Sequence, residues 1–373
     1  MDVEDDVRTD PPPTRAMTNV IRDPRLRELI VTVSELRSAD NGQRRPPAHP
    51  PTDQDARSAW LARVAECREV NHRGVAALLK TAGPGGRGPA APAGVEVREV
   101  RIPVEGSCGS SDCEPCAAQS IFARVYRPSV VTGLMPAYVN FHGGAFWMMG
   151  GPDQIRNLAP GSGRLASELG AVIIDVDYRM APEHKFPTPP EDCYTALRWA
   201  DAQADDLGID RTRIAIGGGS AGGALAAAVA LMARDRGTPA VCTQVLYVPM
   251  LDSSANTPSM HAFAEGYVFT RAGARDAWDL YLTRPADAFS PYASPAHATD
   301  VTGLPDALVI VGDYDPLRDE GLAYAARLVE AGVMVTTKIQ PQCHGAILPE
   351  TAAQTQGLII RHLRSVFAAE VGA

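Results

Sequence analysis

The sequence predicts an α/β fold in which a mostly parallel, eight-stranded sheet is flanked by helices and preceded by a separate helical segment. Three observations predict it. From residue 95 onward, short apolar runs alternate with helical stretches, the pattern of strands buried on both faces by crossover helices. One of those runs passes through a glycine-rich turn directly into an Ala-rich helix. Before residue 95 the chain reads only as tail, helix and linker.

In chain order, residues 1–20, which open with MDVEDDVRTDPPPTR, read as a loose acidic, Pro-rich tail, neither a signal peptide nor a basic membrane anchor. Over 21–82, Ile21, Leu26, Leu29, Ile30, Val33 and Leu36 recur at three- and four-residue spacing, as do Trp60, Leu61, Val64 and Leu78, which predicts two helices. The break RRPPAHPPTD divides them, and TAGPGGRGPAAPAG (81–94) reads as a flexible joint. The domain expectation is therefore 1–94 for tail, helical segment and linker, and 95–373 for the α/β domain. Strands are predicted at 95–104, 121–127, 136–142, 171–177, 213–217, 243–248, 306–312 and 334–340, the first two as an antiparallel hairpin with a long tip. Helices are predicted near 157–169, 190–205, 220–235, 317–331 and 352–368. Residues 252–290, helical in part (RAGARDAWDLYL), interrupt the alternation between the sixth and seventh strands. An insertion at the carboxyl end of such a sheet lies over its ligand crevice, so this segment is expected to form part of a lid.

Composition narrows the function. With 373 residues, 45% hydrophobic and 21% charged, the chain is globular and long enough for a large core without staples. Its 33 glycines and 31 prolines are not periodic, so they mark turns rather than a repeat array. A net charge of −9 is ill suited to holding phosphate backbones, and no nucleic-acid partner is expected. No apolar run approaches the ~20 residues that span a bilayer, so no membrane partner is expected either. Seven cysteines, an odd number, do not form a secreted disulfide framework, and a cytoplasmic protein is expected.

The chemistry concentrates at three turns. Gly218-Gly219-Ser220-Ala221-Gly222 matches G-x-S-x-G between a strand and a helix. A tight turn there would lift the Ser220 hydroxyl above the sheet, with flanking glycines letting neighbouring backbone pass and the helix N-terminus facing an oxyanion. A phosphate loop would carry Gly-Lys-Ser/Thr, and no Lys is present. The third strand ends in His142-Gly143-Gly144-Ala145-Phe146, whose backbone N–H groups can face the nucleophile. His142 reads as a support of that loop rather than a base or metal ligand. Phe146 and Trp147 are expected to line the acyl pocket, with core packing as the plainer alternative. A serine alcohol needs a base and the base an orienting carboxylate. His344 alone among eight histidines directly follows the last strand and precedes a glycine; His49, His72, His261, His297 and His362 fall elsewhere. After the seventh strand, Asp315 is the expected acid and Asp313, nearer the strand end, its rival, while Asp319 and Glu320 are expected to cap or line the next helix.

Together these residues resemble the hormone-sensitive-lipase family of α/β-hydrolase esterases from about residue 95 to the C-terminus. HGGAF (142–146), YRMAPEHKFP (178–187), GGGSAGG (217–223) and DPLRDEG (315–321) carry the likeness, and the second is the most diagnostic because it has no generic catalytic logic. The resemblance implies an α/β-hydrolase fold with a helical cap, built here from 21–82 and 252–290. It implies Ser220, Asp315 and His344 as triad, and the amides of Gly143, Gly144 and Ala221 as oxyanion donors. It further implies hydrolysis of short- to medium-chain carboxylic esters with no cofactor and no metal, a small-molecule ester being the partner, with an edge strand offering a homodimer contact. Acyl transfer to another alcohol would use the same residues, whereas a non-catalytic ligand receptor would not need all three. Two departures stand out. Gly219 replaces the Asp that usually braces the oxyanion loop, and Gly345-Ala346 follows His344 where Gly-Phe is usual. Cys108, Cys113 and Cys116, in the long hairpin tip, fall one ligand short of a closed zinc site. Cys67, Cys193 and Cys242 sit on apolar segments and are expected in the core, with Cys343 packed beside His344.

Overall fold

A computed structural model describes residues 20–38, 45–81, 93–104, 120–131, 133–158, 160–265 and 267–369. The expected tail and most of the flexible joint lie outside the described residues, as does the hairpin tip with Cys108, Cys113 and Cys116.

Eight strands form one sheet: β1 Val95–Pro103, β2 Ser120–Pro128, β3 Met135–Phe141, β4 Val172–Asp177, β5 Ile209–Gly219, β6 Thr243–Tyr247, β7 Asp306–Gly312 and β8 Val335–Gln340. Their spatial order is β1-β2-β4-β3-β5-β6-β7-β8. β2 runs antiparallel to both of its neighbours, β1 and β4, and every other pairing is parallel. The apolar runs VIIDVD and DALVIVG are almost wholly buried, as strands covered by helices on both faces must be.

The order of the strands fixes where a ligand can sit. The chain leaves β3 outward to β4, then crosses back to place β5 on the other side of β3. That reversal opens a crevice beyond the carboxyl ends of β3 and β5. The His142-Gly143-Gly144 loop leaves one of those ends and Ser220 the other.

Three differences from the sequence-based expectation have local causes. The helix expected near 157–169 is two, Pro152–Leu158 and Pro160–Leu169, the second starting at Pro160, which lacks the N–H that would continue the first helix. β5 extends from residue 209 to 219, beyond its expected ends, since pairing with β3 resumes at Met135↔Ile209 across a register shift. Leu61, assigned to the same apolar stripe as Trp60, is 43% exposed while Trp60 and Val64 are buried. Adjacent residues on a helix point about 100° apart, and only the i, i+4 pair shares the inner face.

The N-terminal helices Pro24–Ser38 and Gln54–Thr81 lie against the α/β body. Ile21, Leu26, Ile30 and Val33 pack with Phe263, Tyr267 and Val268 of the insertion and with Tyr314, Cys343, Ala346 and Leu348, making a core of their own beside His344. Ala346, next but one to His344, is buried in this cluster. Inside the main body, helix Ala221–Arg236 is buried from Ala221 to Ala233, its alanines permitting close approach of sheet and neighbouring helices. Cys67 and Cys193 are buried and Cys242 is half-buried against the core on the other face of the sheet.

The stretch 178–187 is a hub. Asp192, with 1% of its side chain exposed, accepts from Arg179 N (2.9 Å), Nε (2.9 Å) and Nη2 (2.7 Å). Lys185 Nζ donates to the carbonyls of Asp279 (2.8 Å) and Leu282 (3.0 Å), closing the C-terminal end of the insertion helix Arg271–Tyr281. Asp192→Asn would leave the half-buried Arg179 guanidinium without its countercharge. The expected loss is about 3 kcal/mol, read as a lower midpoint in urea unfolding.

Candidate active site

Ser220 follows β5 directly and caps the helix Ala221–Arg236, at φ 56° and ψ −120°. A non-glycine residue there is strained by roughly 1–3 kcal/mol and persists only where its surroundings hold it. The holding bonds are visible: Ser220 N donates to Tyr247 O (2.8 Å), and Ser220 O accepts from Met250 N and Ala224 N (each 3.1 Å). A Cβ on Gly222 would fall 2.0 Å from Phe141 O, and one on Gly218 2.4 Å from the same atom, so only glycine lets the turn nest against the end of β3. Gly219 is different. A Cβ there would meet the Tyr247 ring at 3.2 Å, tight but yielding, so the sterics of the turn do not impose glycine.

The hydroxyl is not alone. Ser220 Oγ lies 3.0 Å from His344 Nε2, and His344 Nδ1 lies 2.8 Å from Asp315 Oδ2. A carboxylate only accepts, so Nδ1 carries the imidazole proton and Nε2 presents its lone pair to the serine. Asp315 is fully buried, and its other oxygen accepts from Leu317 N at 2.8 Å, which fixes the carboxylate plane. Asp313 points elsewhere: its side chain is half exposed and lies 3.8 Å from Arg318 Nη1. The three elements β5, β7 and β8 therefore bring Ser220, Asp315 and His344 together at one rim. The ring of Phe269, from the insertion, tilts over His344 at 4.8 Å between centroids.

Facing them is the loop after β3. A Cβ on Gly143 would sit 2.9 Å from Gly219 O and 3.5 Å from Ser220 Cβ, which places this backbone directly against the nucleophile. Gly144 has φ 117°, and Ala145, Phe146 and Met149 also have positive φ (52°, 68° and 65°). No acceptor for the N–H of Gly143, Gly144 or Ala221 lies among the described residues. Such free amides at a helix N-terminus and a tight loop can receive a developing negative charge.

His142 supports the loop. It is buried, stacks on Tyr178 at 4.3 Å and 9°, and donates from Nδ1 to Gly143 O at 2.7 Å. Burial lowers its pKa to about 4, so it is neutral at pH 7 and points away from base chemistry. Phe146 has no exposed surface and stacks on Tyr281 at 4.0 Å, while Trp147 is 6% exposed; both rings belong to the main core cluster. Asp319 accepts from Ser259 N (2.7 Å), and the buried Glu320, its pKa pushed well up by desolvation, accepts from Leu251 N (2.6 Å). Both carboxylates begin the helix Arg318–Glu330 yet hold the segment after β6, a long-range role with no local sequence signal. Cys343 is buried beside His344. Among the described residues no group of His, Cys, Asp and Glu is arranged to hold a metal ion.

Comparison with known proteins identifies the family. A family profile described as an alpha/beta hydrolase fold matches residues 138–348. The chain is 37% identical over 252 residues to an arylesterase of Saccharolobus solfataricus, a match covering 65% of this chain and 79% of the relative. It is 36% identical over 247 residues to the carboxylesterase NlhH of Mycobacterium tuberculosis, covering 63% and 75%. The solved structure of a bacterial heroin esterase superposes with a TM-score of 0.71 at 34% identity, covering 83% of this chain and 93% of that one.

Proposed function

From the premise that this chain belongs to the alpha/beta hydrolase-fold family, as a carboxylesterase of the hormone-sensitive-lipase type, we propose that it hydrolyses carboxylic esters through Ser220, His344 and Asp315. The chain is a carboxylic ester hydrolase, and a small-molecule ester is its substrate. The single observation that supports the residue assignment is the hydrogen-bonded series Ser220 Oγ, His344 Nε2, His344 Nδ1, Asp315 Oδ2, at 3.0 and 2.8 Å.

In this reading Ser220 Oγ attacks the ester carbonyl carbon while His344 Nε2 takes its proton. Asp315 steadies the imidazolium, and the tetrahedral oxyanion is received by the amides of Gly143, Gly144 and Ala221. The C–O bond to the alcohol breaks, the alcohol leaves with the proton from His344, and an acyl-serine remains. Water then repeats the sequence and releases the acid. Phe146 and Trp147 support the wall of the acyl site from behind. The segments 21–82 and 252–290 together form the cap over 95–373, with the apolar core around Tyr267 and Val268 as its seam. The acyl group is short to medium in length, by the likeness of the site motifs.

Further parts of the reading rest on coarser support. No helix among the described residues is long and apolar enough to cross a membrane. An acidic net charge of −9 favours neither nucleic acid nor anionic surfaces, and reduced thiols at Cys67, Cys193, Cys242 and Cys343 suit a cytoplasmic setting. The exposed edge strand β8, with Ile339 at 54%, suits pairing between two copies.

The test is pre-steady-state. Wild-type enzyme mixed with 4-nitrophenyl acetate is expected to release a burst of about one 4-nitrophenol per site before the steady rate, as acyl-serine accumulates. Added alcohols then separate the rival reading: a transferase would divert most of the acyl group to a chosen alcohol at millimolar concentration, whereas a hydrolase would keep making acid.

A further inference from the structure

We infer that Arg68, on the N-terminal helix Gln54–Thr81, is a positioning residue for the oxyanion loop, so that this segment completes the site rather than merely covering it. The inference rests on the ester-hydrolase reading above and goes beyond it.

The guanidinium uses its whole fork. Nε donates to Trp147 O at 2.7 Å, and Nη2 donates to Ala181 O at 2.7 Å. Nη1 and Nη2 also grip Glu183 Oε1 and Oε2 at 2.5 and 2.6 Å, a bidentate pair with both side chains about four-fifths buried. One side chain thus ties three segments together: the N-terminal helix, the loop after β3 and the 178–187 hub. One helical turn further on, His72 Nε2 accepts from Met149 N at 3.0 Å. Residues 68 and 72 are four apart, so both act from the same face of the helix.

The loop needs such a hold. It contains three non-glycine residues at positive φ, Ala145, Phe146 and Met149, and a Gly144 turn so tight that a Cβ would lie 2.2 Å from Met148 O. Strained backbone of this kind relaxes unless its neighbours over-determine it. The local bonds, Trp147 N and Met148 N to Gly144 O, shape the turn, and Ala181 N to Phe146 O links it to the hub. Arg68 and His72 tie it by hydrogen bonds to the N-terminal helix, while the Phe146 ring stacks on Tyr281 of the insertion. Gly219, opposite the loop, offers no side chain to brace it. Arg68 touches neither Ser220 nor His344, so its effect runs through the placement of the Gly143 and Gly144 amides.

A misplaced oxyanion donor weakens transition-state binding and leaves ground-state binding nearly alone. For Arg68→Ala, kcat on 4-nitrophenyl acetate is expected to fall about ten- to a hundredfold with KM within about threefold. A trifluoromethyl alkyl ketone, which adds Ser220 to give a tetrahedral oxyanion, should bind more weakly by the same factor. The plain methyl ketone of equal chain length should bind as before. Arg68→Lys keeps stem and charge but replaces the fork with one point donor; it should fold as wild type and show a smaller loss of the same pattern. Rates are counted per site titrated with a fluorophosphonate, so a variant that merely unfolds in part would keep wild-type kcat per titrated site. That result, or a trifluoromethyl ketone affinity within threefold of wild type in both variants, overturns the clamp while ester hydrolysis stands. A wild-type enzyme that neither hydrolyses the ester nor forms the ketone adduct overturns both.

Discussion

Ser220→Ala is expected to lower turnover of a short-chain 4-nitrophenyl ester by about 10⁶ and to abolish the burst, with the unfolding midpoint unchanged. Alanine keeps the Cβ, and with it the strain at φ 56° that the bonds to Tyr247 and Met250 hold, and among the described residues the hydroxyl bonds to His344 alone. Asp315→Asn should cost about 10⁴ for another reason. An amide side chain can donate to Nδ1, which moves the imidazole proton to Nε2, the nitrogen that must accept from the serine. Asp313→Asn is the control. Its half-exposed carboxylate stands by Arg318 and reaches no reacting group, so the rate should stay within about threefold of wild type. Steady-state rates per folded molecule decide the matter. A large loss in Asp313→Asn with Asp315→Asn nearly intact would assign the acid to the wrong residue.

That choice between two aspartates shows how far the sequence reaches. Spacing along the chain put both at the end of β7, with Asp315 expected as the acid and Asp313 as its rival, but gave no geometric ground for the choice. In the structure Leu317 N binds one Asp315 carboxylate oxygen, and the other lies 2.8 Å from the imidazole. The inner strands β3, β4, β6 and β7 were legible because burial on both faces demands nearly unbroken apolar runs. The Ser220 turn was legible because Gly218 and Gly222 answer to contacts that tolerate nothing larger. What stayed hidden depends on long-range pairing. Arg68, His72 and Glu183 are common residue types at unremarkable spacing, and only the packing of one segment on another gives them a shared target. The stretch 178–187 looked diagnostic without a reason. Its reason is mechanical: Tyr178 stacks on His142, Arg179 is fixed by Asp192, Glu183 receives Arg68, and Lys185 closes a helix of the insertion. Phe146 and Trp147 illustrate the opposite risk, since aromatic residues beside a reactive loop read as pocket lining when their rings are packed into the core.

Gly222→Ala is expected to damage activity far more than a single added methyl group ordinarily does. In an ordinary helix the change would help by about 1 kcal/mol, because Ala is the better helix former. Here the new Cβ would lie 2.0 Å from Phe141 O and 2.7 Å from His142 O, so backbone must move by more than an ångström to restore normal contact. Phe141 is the last residue of β3, and the atoms displaced lead straight into Gly143 and Gly144. Relief therefore comes at the expense of the distance between the oxyanion amides and Ser220. An overpacked core typically loses about 1–3 kcal/mol, which outweighs the propensity gain. An ångström of misplacement at reacting atoms costs about 10² in rate, and two displaced donors about 10³. Gly219→Ala adds the same methyl three residues earlier, against a Tyr247 ring edge at 3.2 Å that can tilt aside. It should keep its rate within about tenfold. Measuring kcat/KM and urea midpoints for the two variants side by side isolates the steric argument: equal losses at 219 and 222, or a Gly222→Ala enzyme within tenfold of wild type, would mean that the approach of the turn to β3 does not set the oxyanion geometry.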